Sequence, residues 1–139
     1  AYNRFWEART LWGNLINASR SFARQCLTLV APPVTESDRR NGASANALGG
    51  PPLRLFRRDV VMGAIAYAHA LRHHLYKTDP FPQIESLLME EEVRWLRNQE
   101  NIPVAILHLL GRRLAWARER GWMSEAATRI LERTLAQLT

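Results

Sequence analysis

The chain has 139 residues, 19 of them basic and 13 acidic, for a formal net charge of +6. A composition 47% hydrophobic and 23% charged suits one globular domain with a modest core, and excludes a disordered chain or a second full-sized domain. The basic set is eighteen arginines and the single Lys77, which suits an anionic partner or surface.

The longest nearly uncharged stretch, Asp59 to Leu71, is interrupted by Gly63, Tyr67 and His69. It falls well short of the roughly 20 apolar residues that span a bilayer. One cysteine, Cys26, excludes an internal disulfide and any cysteine-based zinc site. No initiator Met and no signal peptide are present. An amphipathic pattern is already under way at Tyr2, Phe5 and Trp6 and still running at Leu138, so the sequence reads as a piece of a longer protein.

From Asn3 to about Thr28, apolar residues at Phe5, Leu11, Trp12, Leu15, Ile16, Phe22 and Leu27 follow the three-and-four spacing of a helix with one buried stripe. Val30 and Pro32-Pro33 close it, because proline lacks an amide donor and disfavours helical geometry in the residue before it. Ala31 to Pro52 holds four prolines, three glycines and the polar run Thr35 to Asn46. It is expected to be a loop lying outside the core.

Helical spacing resumes at Leu55, Phe56, Val60, Val61, Ala64, Ile65, Ala68, Leu71 and Leu75, with small residues that let neighbouring backbones approach. Thr78-Asp79-Pro80-Phe81-Pro82 ends this helix. A third helical region carries Ile84, Leu87, Leu88, Val93, Trp95 and Leu96, with Glu90-Glu91-Glu92 in its middle. Asn101-Ile102-Pro103 has the chemistry of a helix start: asparagine caps free amides, and proline in the first turn gives up a donor that has no partner there. The helix that follows carries Val104, Ile106, Leu107, Leu109, Leu110, Leu114 and Trp116, and Gly121 is placed to end it in a left-handed cap. Ser124 caps a final helix with Ala127, Ile130, Leu131, Leu135 and Leu138. No segment alternates at a strand-like period, so the fold is all-α with about five helices.

Few residues suggest catalysis. His69 and His73 share a helix face, with His74 beside them, but no carboxylate stands at helical spacing to complete a metal site. No nucleophile elbow, phosphate loop or dinucleotide fingerprint occurs. Cys26 reads as a small core residue. No enzyme, metal or cofactor is expected. The arginines gather at Arg54, Arg57 and Arg58, and again at Arg112, Arg113, Arg118 and Arg120 around Trp116. Arginine with an aromatic suits nucleic acid, and arginine also collects on the cytoplasmic side of membrane proteins. Trp116, however, falls on the apolar periodicity rather than with the arginines.

The run Asn3-Arg4-Phe5-Trp6-Glu7-Ala8-Arg9-x-Leu11-Trp12-Gly13, followed by Asn17-x-Ser19-Arg20, resembles the segment after the second transmembrane helix of bestrophin-like membrane proteins, particularly the bacterial branch. Tyr67-Ala68-His69-Ala70-Leu71-Arg72 resembles that branch's central cytoplasmic helix, and Asn101-Ile102-Pro103 its Asn-x-Pro helix start. Leu131-Glu132-Arg133 with Leu135 and Leu138 resembles the helix leading to the next membrane segment.

The resemblance implies a single helical cytoplasmic domain, residues 1–139, lying between the second and third membrane segments. It implies the vestibule of a homo-oligomeric, pentameric channel for inorganic ions, with anions such as chloride favoured by the arginines. The parent protein is then expected in the cell membrane, a bacterial inner membrane, with this portion on the cytoplasmic side. Trp6, Glu7, Arg9 and Trp12 are expected at the junction of membrane and vestibule, with a partly buried Glu7 to Arg pair. A cytoplasmic pore exit is expected among Ala126, Ala127 and Ile130. Two alternatives stand beside it: a soluble basic helical module binding an anionic partner such as nucleic acid, and a membrane-attached scaffold that conducts nothing.

Overall fold

The computed structural model describes residues 2–139, apart from the side chains of Tyr2, Asn3 and Phe5. Among the described residues seven helices form: α1 (Tyr2–Leu29), α2 (Glu36–Arg40), α3 (Ala45–Tyr76), α4 (Phe81–Ile84), α5 (Glu90–Leu96), α6 (Ile102–Glu119) and α7 (Glu125–Leu138). No strand occurs among the described residues. No helix among them is long and apolar enough to cross a membrane.

Four long helices make the core. α3 packs on α1 and α6, and α7 packs on α1 and α6, so the four close into a ring around one apolar interior. The short α4 rests against α3, and α5 against α6. At the centre lie Phe22 from α1, Tyr67 from α3, Leu110 from α6 and Leu131 from α7, none more than 1% exposed. Burying such side chains stabilises the fold by about 1.5–3 kcal/mol each, which is how helices of ordinary propensity are held.

The closest approach is between α3 and α6. At Gly63 an added Cβ would stand 2.6 Å from Leu110 Cδ2. The missing side chain therefore sets how near α3 and α6 come. The small residues expected to allow close packing on this helix are Ala64, Ala66 and Ala70, all buried beside it.

The helix ends follow their sequence signals where those were strong. Asn101 Oδ1 accepts from the Val104 N–H at 3.3 Å to start α6. At the other end of α6 the Gly121 N–H reaches the Arg118 carbonyl and the Trp122 N–H the Ala117 carbonyl. Gly121 sits at φ +76°, the left-handed geometry such a cap requires. Ser124 Oγ accepts from the Ala127 N–H at 3.0 Å and begins α7.

Three expectations are corrected. The stretch from Ala31 to Pro52 is more ordered than a loop. Thr35 and Asp38 cap α2 reciprocally, the Asp38 N–H donating to Thr35 Oγ1 and the Thr35 N–H to Asp38 Oδ2. The Thr35 hydroxyl, donating to Asp38 Oδ2 at 2.7 Å, and then the Thr35 N–H hold the Asp38 carboxyl below its ordinary pKa. Ser44 Oγ then accepts from the Ala47 N–H to open α3 about ten residues before the first apolar residue assigned to that helix. α3 kinks at Gly50, whose φ of 52° and ψ of −147° no L side chain adopts readily, and Pro51 and Pro52 take the first turn of the longer segment.

The third helical region is two helices rather than one. Phe81 to Ile84 forms a single turn, with Asp79 Oδ1 accepting from the Phe81 N–H at 3.0 Å. The Glu90-Glu91-Glu92 run opens α5 instead of lying mid-helix. Carboxylates in a first turn face unpaired amides and the positive end of the helix dipole, which favours them there. Finally, Leu11 and Leu27, assigned to the buried stripe of α1, are 57% and 39% exposed.

α5 is tied to α6 by one ion pair. Arg113 Nη2 donates to Glu92 Oε1 at 2.7 Å and Oε2 at 3.0 Å. The two side chains are only 12% and 13% exposed.

Two predictions follow from these contacts. Gly63→Val should lower the unfolding free energy by about 1–3 kcal/mol through overpacking. Gly111→Ala, where the nearest atom would be Leu135 Cδ2 at 3.5 Å, should raise it by about 0.5–1 kcal/mol by removing a glycine from a helix interior. Thermal melts followed by circular dichroism read the two opposite signs. Glu92→Ala should cost about 3–5 kcal/mol, because it strands a guanidinium in the interior, whereas Glu92→Met with Arg113→Met should cost far less. Urea unfolding of the two variants tests this, and equal losses would refute it.

Candidate functional site

The α1 motif divides at Trp12. Before it, Arg4, Trp6, Glu7, Ala8, Arg9, Thr10 and Leu11 are all exposed, so the first turns of α1 run past the bundle. From Trp12 onward an inner stripe forms, through Leu15, Ile16, Ser19, Phe22 and Cys26 to Val30. Asn3 and Phe5 of the motif have side chains outside the described residues. The expected partly buried Glu7 to Arg pair does not form within this chain. Glu7 is exposed and joins no ion pair among the described residues. The reason is positional: these turns have no neighbouring element against which to bury a charge. Trp12 packs at the edge of the core with its Nε1 buried and unpartnered. Arg20 is exposed on the outer face, while Ser19 is buried with its hydroxyl on the Ile16 carbonyl.

The α3 motif is structural. Tyr67 is 1% exposed, and its hydroxyl donates to the Leu138 carbonyl at 3.1 Å, fixing the last turn of α7 against α3. Leu71 is buried, His69 half-buried and Arg72 exposed. His73 bonds Thr78 Oγ1 through Nδ1 at 2.6 Å and Gln83 Oε1 through Nε2, closing the turn between α3 and α4. The three histidines gather no carboxylate or thiol, and no group of three potential metal ligands occurs among the described residues. Pro103 is buried in the first turn of α6 beside the Asn101 cap. Burial pushes the Cys26 thiol up to about 12 and leaves it inert as a nucleophile.

On α7 the three candidate exit residues separate. Ala127 is 5% exposed and belongs to the bundle's own interior. Ala126 and Ile130, four apart and therefore on one face, point outward, Ile130 at 43% exposure. An isoleucine on the polar face of an amphipathic helix leaves apolar surface with nothing in this chain to cover it.

α7 runs antiparallel to α1. Trp122, just before α7, accepts from the Ala31 N–H at 3.0 Å, and further along Thr134 Oγ1 donates to Gln25 Oε1 at 2.7 Å. The first turns of α1 and the last turn of α7 thus lie at the same end of the bundle.

An aromatic cluster at the other end escaped the sequence reading. Trp116 stacks on Phe56 at 6.2 Å and meets Trp122 edge-on at 5.2 Å, with the Arg120 guanidinium 4.2 Å over its ring. The signal was present: Trp116 and Arg120 are four apart on a helix, and the Gly121 cap returns Trp122 onto α6. Trp116 is thus engaged by Phe56, Trp122 and Arg120 while remaining 37% exposed.

Comparison with known proteins follows the fold and these positions. The sequence model for the Bacterial/Fungal Bestrophin protein matches residues 1–139. The chain is 32% identical to a voltage-dependent anion channel-forming protein of Ralstonia nicotianae, over all of this chain and 40% of that protein. It is 28% identical to a protein of the same description from Mesorhizobium japonicum, over all of this chain and 38% of that one. A crystal structure of a bacterial bestrophin homolog from Klebsiella pneumoniae, carrying a point mutation, superposes with a TM-score of 0.74 at 30% identity, covering 99% of this chain and 44% of that one. The chain thus spans about two fifths of the relatives it matches. Over its whole length, the chain belongs to the bacterial/fungal bestrophin family.

Proposed function

We propose that the chain is the cytoplasmic vestibule of a homo-oligomeric, pentameric anion channel, carried by membrane segments that flank it in the parent protein at a bacterial inner membrane. The observation that carries this reading is that the first turns of α1 and the last turn of α7 lie at one end of the bundle. Arg4, Trp6 and the residues from Glu7 to Leu11 are exposed there, which suits a helix continuing toward a bilayer. The identity to relatives named as anion channel-forming proteins supports the permeant ion.

Arginines suit the same task. Arg4 and Arg9 stand exposed on the turns of α1 that precede Trp12. Clefts lined by one sign of charge focus the field and raise the local concentration of counter-ions. An apolar ring at the cytoplasmic exit fits Ala126 and Ile130, which face out of the bundle. Ala127, committed to the interior, drops from that set.

The parent protein reconstituted in liposomes should carry chloride flux; absence of flux would favour a non-conducting scaffold. Ile130→Ala should raise conductance or relax ion selectivity in planar bilayers by widening the exit, while protein stability changes little because the side chain lies outside the core, 43% exposed. Wild-type currents from that variant would take Ile130 out of the pore.

A further inference from the structure

The bundle leaves one long groove open. Leu55, Phe56 and Asp59 of α3, Met89, Glu91 and Trp95 around α5, and Arg112 and Trp116 of α6 line it, in a space of about 820 Å³. Its apolar walls are well exposed: Leu55 is 55% exposed, Met89 57% and Trp95 36%. A small monomer seldom leaves so much contiguous apolar surface to water. The groove also holds three carboxylates, Asp59, Glu91 and Glu92, against Arg112 and Arg113. Arg113 is spent on Glu92, so Asp59 and Glu91 are left without an ion pair among the described residues.

A separate face of the bundle presents the complement. α1 packs on α3 and α7, whereas α5 packs on α6. On the outer face of α1, Arg20, Arg24 and Leu27 fall at spacings of four and three, forming one stripe. Both arginines are exposed and without an ion pair among the described residues, and Leu27 is 39% exposed.

The two faces also lie at the same height. Ala31, one turn past Leu27, bonds to Trp122, and Trp122 packs on Phe56 and Trp116 of the groove wall. Two different faces of one chain join heterologously, head to tail, and that geometry closes into a ring when the rotation permits. In a ring whose axis runs along the bundle, the surfaces that meet share one height.

We propose that the α3–α5–α6 groove receives the Arg20, Arg24 and Leu27 stripe of α1 from a second copy of this chain, repeated around the ring. The pairing rests on the homo-oligomeric reading above and specifies which surfaces build it. Leu27 enters against Leu55 and Trp95, and the two arginines meet Asp59 and Glu91.

The test is a charge exchange in the full-length protein purified in detergent, with mass measured by light scattering. Arg24→Glu and Glu91→Arg should each cut the assembled fraction by roughly tenfold or more at fixed concentration, as like charges meet across the interface. The double variant should restore assembly. Circular dichroism confirms that each variant stays folded, since both positions are on the surface. An assembled wild type whose single variants also assemble, or a double variant that fails to recover, overturns the pairing and leaves the oligomeric reading standing. A monomeric wild type overturns both.

Discussion

The architecture hangs on the distance between α3 and α6. With hydrogen in place of a side chain at Gly63, Leu110 lies directly against the α3 backbone. That spacing brings Phe56 over Trp116 at one level and lets Arg113 reach across to Glu92 at another. α5 is positioned through that ion pair, and the groove between α3 and α5 has the width this leaves. Van der Waals contacts weaken steeply with separation, so a core built around one close approach transmits a displacement there to every element stacked on it.

The sequence exposed the parts of the fold governed by local chemistry over many residues. α6 is legible from Asn101 to Gly121 because its cap, its first-turn proline, its apolar stripe and its terminating glycine agree. α1 and α7 are legible from periodicity and from Pro32-Pro33 and Ser124. What escaped is short or broken. α2 and α4 have too few residues to show a period, and in isolation would not outlast the cost of nucleation. They persist because Thr35 with Asp38, and Asp79 with Phe81, satisfy the amides of their first turns. The start of α3 was hidden by Gly50-Pro51-Pro52, a run that ordinarily ends a helix and here bends one.

For the site, the α1 motif was visible as a pattern, yet its local physics was misread. A Glu7 pair buried within one chain needs a neighbour, and the first turns of α1 have none. The family resemblance grouped Ala126, Ala127 and Ile130 by position alone, although a helix of 3.6 residues per turn places Ala127 inward when Ala126 and Ile130 point outward. The aromatic cluster depends on Phe56 and Trp122 meeting Trp116 across three elements, a conjunction that spacing within any one of them cannot reveal. Family likeness and physical reading here carry different information: the first locates the chain within a larger protein, the second assigns each residue its duty within the bundle.

The lone thiol of Cys26 has a use that follows from its setting on the inner stripe of α1. A group that ionises near 12 is thiolate in only about one molecule in ten thousand at pH 8, and maleimides and disulfide reagents act on the thiolate. Labelling of this chain therefore waits for α1 to lift from α3 and α7. The rate at which a reagent consumes Cys26 is a clock for that opening, built into the native sequence, and needs no engineered probe to read it.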